Sequence, residues 1–297
     1  MTVDYRAMLQ SAAESTLSEF NSKLVPGKER ILGVRMPVIR RIARDIIDDD
    51  WRQIADSSPE YLEEEILKGI VIATAPISVE ERISASKGFI PTIDNWSVCD
   101  SFSCSWRFDM DESRKAWDFL SSYMASGEEF EMRTSVVSRM WLFKDEASCR
   151  LLLEDLASFD NPGYYYRMGS AWAVATVFSE YPDMAEELLS SNRLEPWTHN
   201  KAIQKIGESL KTSKEDKARL RLLKRQVRTL RFVYYRCSHC KPHDQRFSRI
   251  CEEHQSRPPR SLRKDGEPPH PPHPRHRRAR ALRRLRSRED RRGCGRR

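Results

Sequence analysis

The segment DNWSVCDSFSC, residues 94–104, holds a tryptophan and a carboxylate at a spacing that could serve chemistry. If Asp94 or Asn95 caps a helix here, Trp96 and Asp100 stand on one helix face as an i, i+4 pair. An indole face attracts cations and a nearby carboxylate attracts them more strongly, so the pair suits a positively charged ligand. The segment alone favours a plainer interpretation, in which Trp96 belongs to the core and Asp100 is a capping or solvated acid.

Residues 1–226 contain few of the side chains that other kinds of catalysis require. Residues 1–226 contain one histidine, His199, so a Ser-His-Asp triad or a histidine-rich metal cluster would depend on it alone. The phosphate-binding patterns GxxxxGK[ST] and GxGxxG are absent. Cys99 and Cys104 lie roughly 500° apart around a helix, so they do not share a face, and we interpret both as packing residues. We therefore expect no metal site in residues 1–226 and no cofactor.

Charge divides the chain of 297 residues into two parts. After residue 226 there are 22 Lys and Arg against 7 Asp and Glu, which leaves 30 against 37 in residues 1–226. All seven tryptophans lie in the first part, whereas the second is rich in Arg, Pro and His. We predict a helical domain at 1–226 and a basic tail at 227–297 that cannot bury enough apolar surface to fold. A second interpretation stays open, since GC-rich DNA translated out of frame gives a similar composition.

The tail contains one motif with the spacing of a metal site. Cys237, Cys240, Cys251 and His254 form the pattern CxxC-x10-CxxH, and paired ligands of this kind are typical of structural zinc sites. The surrounding residues offer little apolar material from which a zinc knuckle could be built. The motif is therefore a zinc candidate that the tail's composition does not favour.

The first part of the chain carries no sign of export or of membrane insertion. Its start, MTVDYRAMLQ, has neither the basic nor the apolar region of a signal peptide. No apolar run approaches the roughly 20 residues that span a bilayer. Three cysteines in residues 1–226 are a sparse and odd set for a disulfide framework. We expect a cytoplasmic protein with reduced thiols and no membrane partner.

Apolar residues in the first part recur with a helical period. Residues 35–47 place isoleucines on one face with Pro37 in the first turn, and residues 58–75 repeat the pattern with Ser58 as the expected N-cap. Further helical faces are predicted at Trp117–Tyr123, Arg133–Phe143, Ala147–Leu156, Tyr164–Phe178 and Lys201–Leu210. About eleven short helices predict an all-α fold, a HEAT-like repeat α-solenoid of stacked antiparallel helical hairpins with a concave face. An irregular all-α bundle is the alternative.

Five segments, taken in order, resemble the AlkD-like family of HEAT-like-repeat DNA alkylation-repair glycosylases, in its shorter bacterial subgroup. They are ILGVRMPVIRRIAR, DNWSVCDSF, EMRTSVVSRMWLF, YYYRMGSAWAVATVFSEYP and THNKAIQKIGESLKTSKEDKARLRLLKR. Together they cover most of residues 1–225. Ser97 and Cys99, within the second segment, depart from the family's pattern, which leaves the substrate preference open.

The resemblance implies a cleft with four functional residues. Asp100 matches the family's catalytic carboxylate and Arg133 its arginine, while Trp96 and Trp172 match the two tryptophans that flank the substrate. It implies a monomeric, monofunctional DNA N-glycosylase that removes cationic alkylated purines, such as 3-methyladenine and 7-methylguanine, from double-stranded DNA. Arg133 would hold a backbone phosphate and orient Asp100. A leaving group that is already charged needs no strong general acid, which agrees with the single histidine.

DNA binding also requires a positively charged strip, which the acidic balance of residues 1–226 does not supply by itself. The candidate residues are Arg40, Arg41, Arg44, Arg139, Lys144, Arg167, Lys201 and Lys205. For each of them the alternative is a solvated helix face. The acidic balance keeps a second function open, a non-catalytic helical-repeat protein that binds DNA structures or a protein partner.

Overall fold

The computed structural model describes residues 4–226, and within them all regular structure is helical, as predicted. The predicted tail and the zinc candidate Cys237, Cys240, Cys251 and His254 lie outside these residues. The α-helices are α1 (Tyr5–Ser11), α2 (Ser15–Leu24), α3 (Met36–Asp49), α4 (Arg52–Ala55), α5 (Leu62–Thr74), α6 (Val79–Phe89), α7 (Trp96–Ser103), α8 (Ser113–Ser122), α9 (Glu129–Leu142), α10 (Glu146–Ser158), α11 (Tyr164–Phe178), α12 (Pro182–Ser190), α13 (Pro196–Glu208) and α14 (Lys214–Leu222). Short 3₁₀ turns occur at Ile90–Thr92, Met110–Glu112 and Tyr123–Ala125.

The helices alternate between two layers. One layer is a continuous series in which α3 packs on α5, α5 on α7, α7 on α9, α9 on α11 and α11 on α13. The other layer contains α6 packed on α8 and α10 packed on α12, and each of these helices also contacts the first series. This order of contacts is typical of stacked helical hairpins, because each repeat contacts mainly its neighbours. None of the helices in residues 4–226 is long and apolar enough to cross a membrane.

The buried apolar side chains form two clusters that meet at α9. The N-terminal core draws on residues 9–120 and the C-terminal core on residues 124–220. Every residue of α9 from 132 to 140 is buried. Phe130, at its start, packs against the N-terminal core, whereas Val136 belongs to the C-terminal core. α9 therefore contacts both cores.

Three consecutive glutamates at the start of α5 bind the N-terminal part of the chain to that helix. Glu63 is 1% exposed and accepts hydrogen bonds from the backbone N–H groups of residues 32–34, at 2.8–3.3 Å. Glu64 accepts from the Arg6 guanidinium at 2.6 Å, and Glu65 pairs with Lys28 at 2.7 Å. Buried carboxylates are stable only when their oxygens are paired, so these bonds fix the segment that leads from α2 to α3.

The end of the described chain is held by the helix that carries the single histidine of this domain. His199 is fully buried, and its Nε2 lies 2.8 Å from the carbonyl oxygen of Leu223. Asn200 donates to the Arg225 carbonyl at 2.7 Å and accepts from the Arg225 N–H at 2.9 Å. Burial lowers the pKa of His199, and the neighbouring positive charge of Arg225 lowers it further. His199 therefore serves as a neutral structural residue.

We predict that the domain loses stability as the pH falls below 6.5, the ordinary pKa that His199 regains on unfolding. The unfolded chain then binds a proton that the folded chain does not, and one such group gives a slope of at most about 1.4 kcal/mol per pH unit. Urea unfolding at about pH 7.5 and pH 5.5 measures the difference. His199→Gln should reduce it, and an unchanged difference in that variant would contradict the assignment.

Candidate functional site

The helix that carries the first two candidate residues begins as the sequence predicts. The side chain of Asn95 accepts a hydrogen bond from the N–H of Val98 at 3.0 Å, so Asn95 rather than Asp94 is the N-cap of α7. Trp96 is the first residue of the helix, and Asp100 follows one turn later. The two side chains therefore lie on the same face of α7.

The indole ring of Trp96 is fixed by a contact that the sequence did not suggest. Its Nε1 donates to the carbonyl oxygen of Leu24, the last residue of α2, at 2.8 Å. Lys28 reinforces this junction by pairing with Asp94 at 2.9 Å and with Glu65 at 2.7 Å. Trp96 is half-buried against the N-terminal core. One edge of the ring is thus held by α2, which limits how the ring can reorient.

Asp100 and Arg133 form a two-pronged ion pair between α7 and α9. Arg133 donates from Nε to Oδ1 and from Nη2 to Oδ2 of Asp100, both at 2.9 Å. The side chains are 12% and 7% exposed, respectively. Burial alone would lower the pKa of Arg133, but the charge and hydrogen bonds of Asp100 outweigh burial and raise it. Parallel bonds of this kind fix the plane of the carboxylate as well as its position.

Arg133 has a third contact, with the backbone of α11. Its Nη1 donates to the carbonyl oxygen of Tyr165 in the first turn of α11, at 2.5 Å. All three guanidinium nitrogens are therefore engaged by the protein. Nη1 and Nη2 each carry a second N–H, but only 7% of the side chain is exposed, so the phosphate-binding role that the resemblance implied stays a prediction. The geometry supports the other implied role, the orientation of Asp100.

Trp172 lies on the third helix of the site. It is half-buried in α11 and packs against the C-terminal core. Gly169, three residues earlier, lies against Arg133, because a Cβ atom at that position would be 3.3 Å from Nη1. Residues three apart share a helix face, so Trp172 follows the Arg133 contact by one turn. The four candidate residues therefore occupy α7, α9 and α11, three successive helices of one layer.

The cysteines near Asp100 have the properties of packing residues. Cys99 is buried, with its Sγ 3.3 Å from the Thr134 hydroxyl, and Cys104 is half-buried. Burial raises the pKa of both thiols to about 12, so both are protonated at neutral pH. Among residues 4–226 there is no group of three or more His, Cys, Asp or Glu side chains that could hold a metal ion.

Three of the predicted DNA-binding arginines lie on α3. Arg40, Arg41 and Arg44 are exposed at the protein surface. Arg40 donates to the hydroxyl of Ser105 at 3.2 Å, which places it just beyond the C-terminal end of the helix that carries Asp100. This contact gives Arg40 a direct structural link to the site.

The remaining cations of the predicted strip have varied surroundings. Lys144 is exposed above the ring of Trp141, and Lys201 is half-buried above the ring of Trp197. Lys205 follows Lys201 by one turn of α13 and is also half-buried. These lysines stay candidates for phosphate contact.

Arg167 differs from them because two carboxylates lie close to it. Its guanidinium is 4.0 Å from Asp160 and 3.7 Å from Glu195, and the side chain is 25% exposed. Both carboxylates would compete with a phosphate for the same cation. Arg167 is therefore a weaker candidate than the exposed arginines of α3.

The prediction for Arg139 is wrong. Arg139 is fully buried, its Nη1 pairs with Asp155, and its guanidinium lies over the ring of Trp117 at 5.1 Å. It cannot reach a phosphate without unfolding the middle of α9. Arg139 was a candidate because of its charge, but α9 is buried on every side over this stretch. Arg139 instead joins α9 to α8 and α10.

Stacked helical hairpins that carry an ion-paired carboxylate and two tryptophans on α7, α9 and α11 define a helical-repeat protein with a candidate active site. A family model for DNA alkylation repair enzymes matches residues 5–206, more than half of the chain, and the protein therefore belongs to that family. The match confirms the resemblance at the level of the DNA alkylation repair enzyme family. No curated protein sequence matched the chain.

We predict that removing Arg133 costs more stability than removing an exposed arginine. Arg133→Ala leaves the largely buried Asp100 carboxylate without its partner, which should lower the free energy of unfolding by about 3 kcal/mol. Arg114→Ala is the control, because it removes an exposed pair with Asp118 and should cause no measurable change. Urea unfolding followed by circular dichroism measures both, and equal effects would contradict the structural importance of the Asp100 pair.

Proposed function

We propose that the protein is a monofunctional DNA N-glycosylase that hydrolyses the N-glycosidic bond of cationic alkylated purines, such as 3-methyladenine and 7-methylguanine. The observation that supports this most is the Asp100 carboxylate, whose plane is fixed by two bonds from Arg133. Trp96 and Trp172 lie on the helices on either side of α9. Membership of the DNA alkylation repair enzyme family supports DNA as the substrate.

The proposed reaction needs few catalytic groups, because the positively charged alkylated base is already a good leaving group. Water attacks the anomeric carbon as the N-glycosidic bond breaks, and the bonding electrons pass to the purine and cancel its positive charge. The proton of the attacking water goes to Asp100 or to solvent. No histidine is required, in keeping with the structural position of His199.

Asp100 acts on the charge that develops on the sugar. As the bond breaks, the deoxyribose takes on oxocarbenium character, and a carboxylate fixed in advance stabilises that positive charge without reorganising. The orientation by Arg133 leaves each carboxylate oxygen one further lone pair, which can hold the attacking water. Trp96 and Trp172 stabilise the cationic nucleotide with their ring faces.

A second candidate function, DNA or protein binding without catalysis, has one observation in its favour. Both oxygens of Asp100 already accept a bond from a cation, so the pair is electrically neutral as a whole. A neutral pair serves a structural role as readily as a catalytic one. Release of free base distinguishes the two functions, because a binding protein retains damaged DNA without cleaving it.

We predict that the full-length protein releases methylated purines from methylated duplex DNA and that Asp100→Asn slows release by about 100-fold or more. Asp118→Asn, which changes an exposed carboxylate on α8, should leave the rate unaltered. Chromatography of the released bases measures the rate, and thermal melts confirm that each variant is folded. Wild-type release no greater than in a protein-free sample would refute the glycosylase, and full activity in Asp100→Asn would remove Asp100 from its mechanism.

We also predict that Arg40 contacts a phosphate of the double-stranded DNA. Arg40→Ala should weaken binding and reduce the slope of log affinity against log salt by about 1, because one fewer counterion is released. Arg114→Ala removes an arginine that is 84% exposed on α8 and serves as the matched control. Fluorescence anisotropy over a salt series measures both slopes, and equal slopes in the two variants would exclude a phosphate contact by Arg40.

A further inference from the structure

Glu129, the first residue of α9, extends its side chain across to α11. Its Oε1 accepts hydrogen bonds from the backbone N–H groups of Tyr165 at 2.5 Å and Tyr166 at 3.4 Å. The residue before α11, Gly163, supplies no side-chain cap of its own. Glu129 is therefore the cap of α11, contributed by a different helix, and its negative charge lies at the positive end of that helix.

The loop before α11 is shaped to admit this side chain. A Cβ atom at Gly163 would lie 2.4 Å from Cδ of Glu129, so only glycine leaves room for the carboxylate. Asn161 ties the same loop to the residues before α9, donating to the Gly127 carbonyl at 2.6 Å and accepting from the Gly163 N–H at 2.8 Å. The starts of α9 and α11 are thus joined at two points.

The capping contact of Glu129 is connected to the Asp100–Arg133 ion pair through one residue, Tyr165. Glu129 holds the N–H of Tyr165, and the carbonyl oxygen of the same residue accepts from Nη1 of Arg133 at 2.5 Å. The other nitrogens of Arg133 then hold both oxygens of Asp100. Tyr165 is the backbone link between a carboxylate outside the site and the carboxylate within it.

We propose that Glu129 is a positioning residue, which fixes the backbone of Tyr165 and through it the guanidinium of Arg133 and the carboxylate plane of Asp100. Glu129 does not touch the substrate, and its effect on rate rests on the proposed glycosylase function. Glutamine has the same shape, but as a neutral acceptor it holds the helix N-terminus less firmly than a carboxylate does. Aspartate is one methylene shorter and would not span the gap to α11.

The first test measures how firmly Arg133 is held and does not depend on enzymatic activity. Exchange of the Arg133 Nε proton is measured by ¹⁵N NMR, with the signal identified by its loss in Arg133→Lys. Glu129→Gln and Gly163→Ala should each speed this exchange by about tenfold, because the guanidinium opens more often. Glu128→Gln is the matched control, since Glu128 is adjacent and exposed and makes no capping bond.

The amide proton of Val136, in the buried middle of α9, separates positioning from general loosening of the fold. Its exchange should stay the same in Glu129→Gln while that of the Arg133 Nε proton accelerates. If the Arg133 proton exchanges at one rate in the wild type, Glu129→Gln and Gly163→Ala, Glu129 does not position it. Equal acceleration of both protons would also overturn the proposal.

The second test measures the effect of Glu129 on the rate of base release. Glu129→Gln should slow single-turnover base release by about tenfold while the affinity for DNA stays the same. In an Arg133→Lys background it should add less than about twofold, because the two residues act through one chain of contacts. If the two substitutions reduce the rate of base release independently, so that their effects multiply in the double variant, Glu129 does not act through Arg133. If the wild type releases no base, the glycosylase proposal fails, and the NMR result alone decides the role of Glu129.

Discussion

The ion pair between Asp100 and Arg133 is the interaction on which the candidate site depends. It joins α7, which packs in the N-terminal core, to α9, where the two apolar cores meet. Apolar packing is not directional and would tolerate small shifts of one core against the other. Two parallel hydrogen bonds between a planar guanidinium and a planar carboxylate tolerate much less. The pair therefore fixes α7 against α9, and the bond from Arg133 to the Tyr165 carbonyl adds α11, the helix that carries Trp172.

Short-range features of this site follow from the sequence because they depend on neighbouring residues. The Asn95 cap and the shared face of Trp96 and Asp100 are set within one turn of helix, and the limits of α11 match their prediction. The N-cap of α5 was predicted at Ser58 but is Tyr61, and the helix begins at Leu62. Glu64 accepts from the Glu60 N–H and from Arg6 of α1, so a distant contact overrides the local capping signal.

Long-range features could not be predicted, because they join residues far apart in the chain. The indole of Trp96 is held by a carbonyl 72 residues away, and Arg133 by a carbonyl 32 residues away. Backbone acceptors carry no side-chain signature, so no motif could reveal either contact. The prediction for Arg139 failed for a related reason, since the sequence position of a basic residue does not show whether another layer of helices covers it.

The pairing of Asp100 is compatible with the reaction proposed for it. An isolated carboxylate in a site this buried would be costly to keep ionised, and a partner cation removes most of that cost. Both side chains are largely buried, with 12% of Asp100 and 7% of Arg133 exposed, and the pair acts as a dipole rather than as a free charge. The field of a dipole falls off more steeply with distance than that of a free charge. A site of this kind favours a cation in direct contact over one at a distance, which suits charge that develops on a sugar held against Asp100.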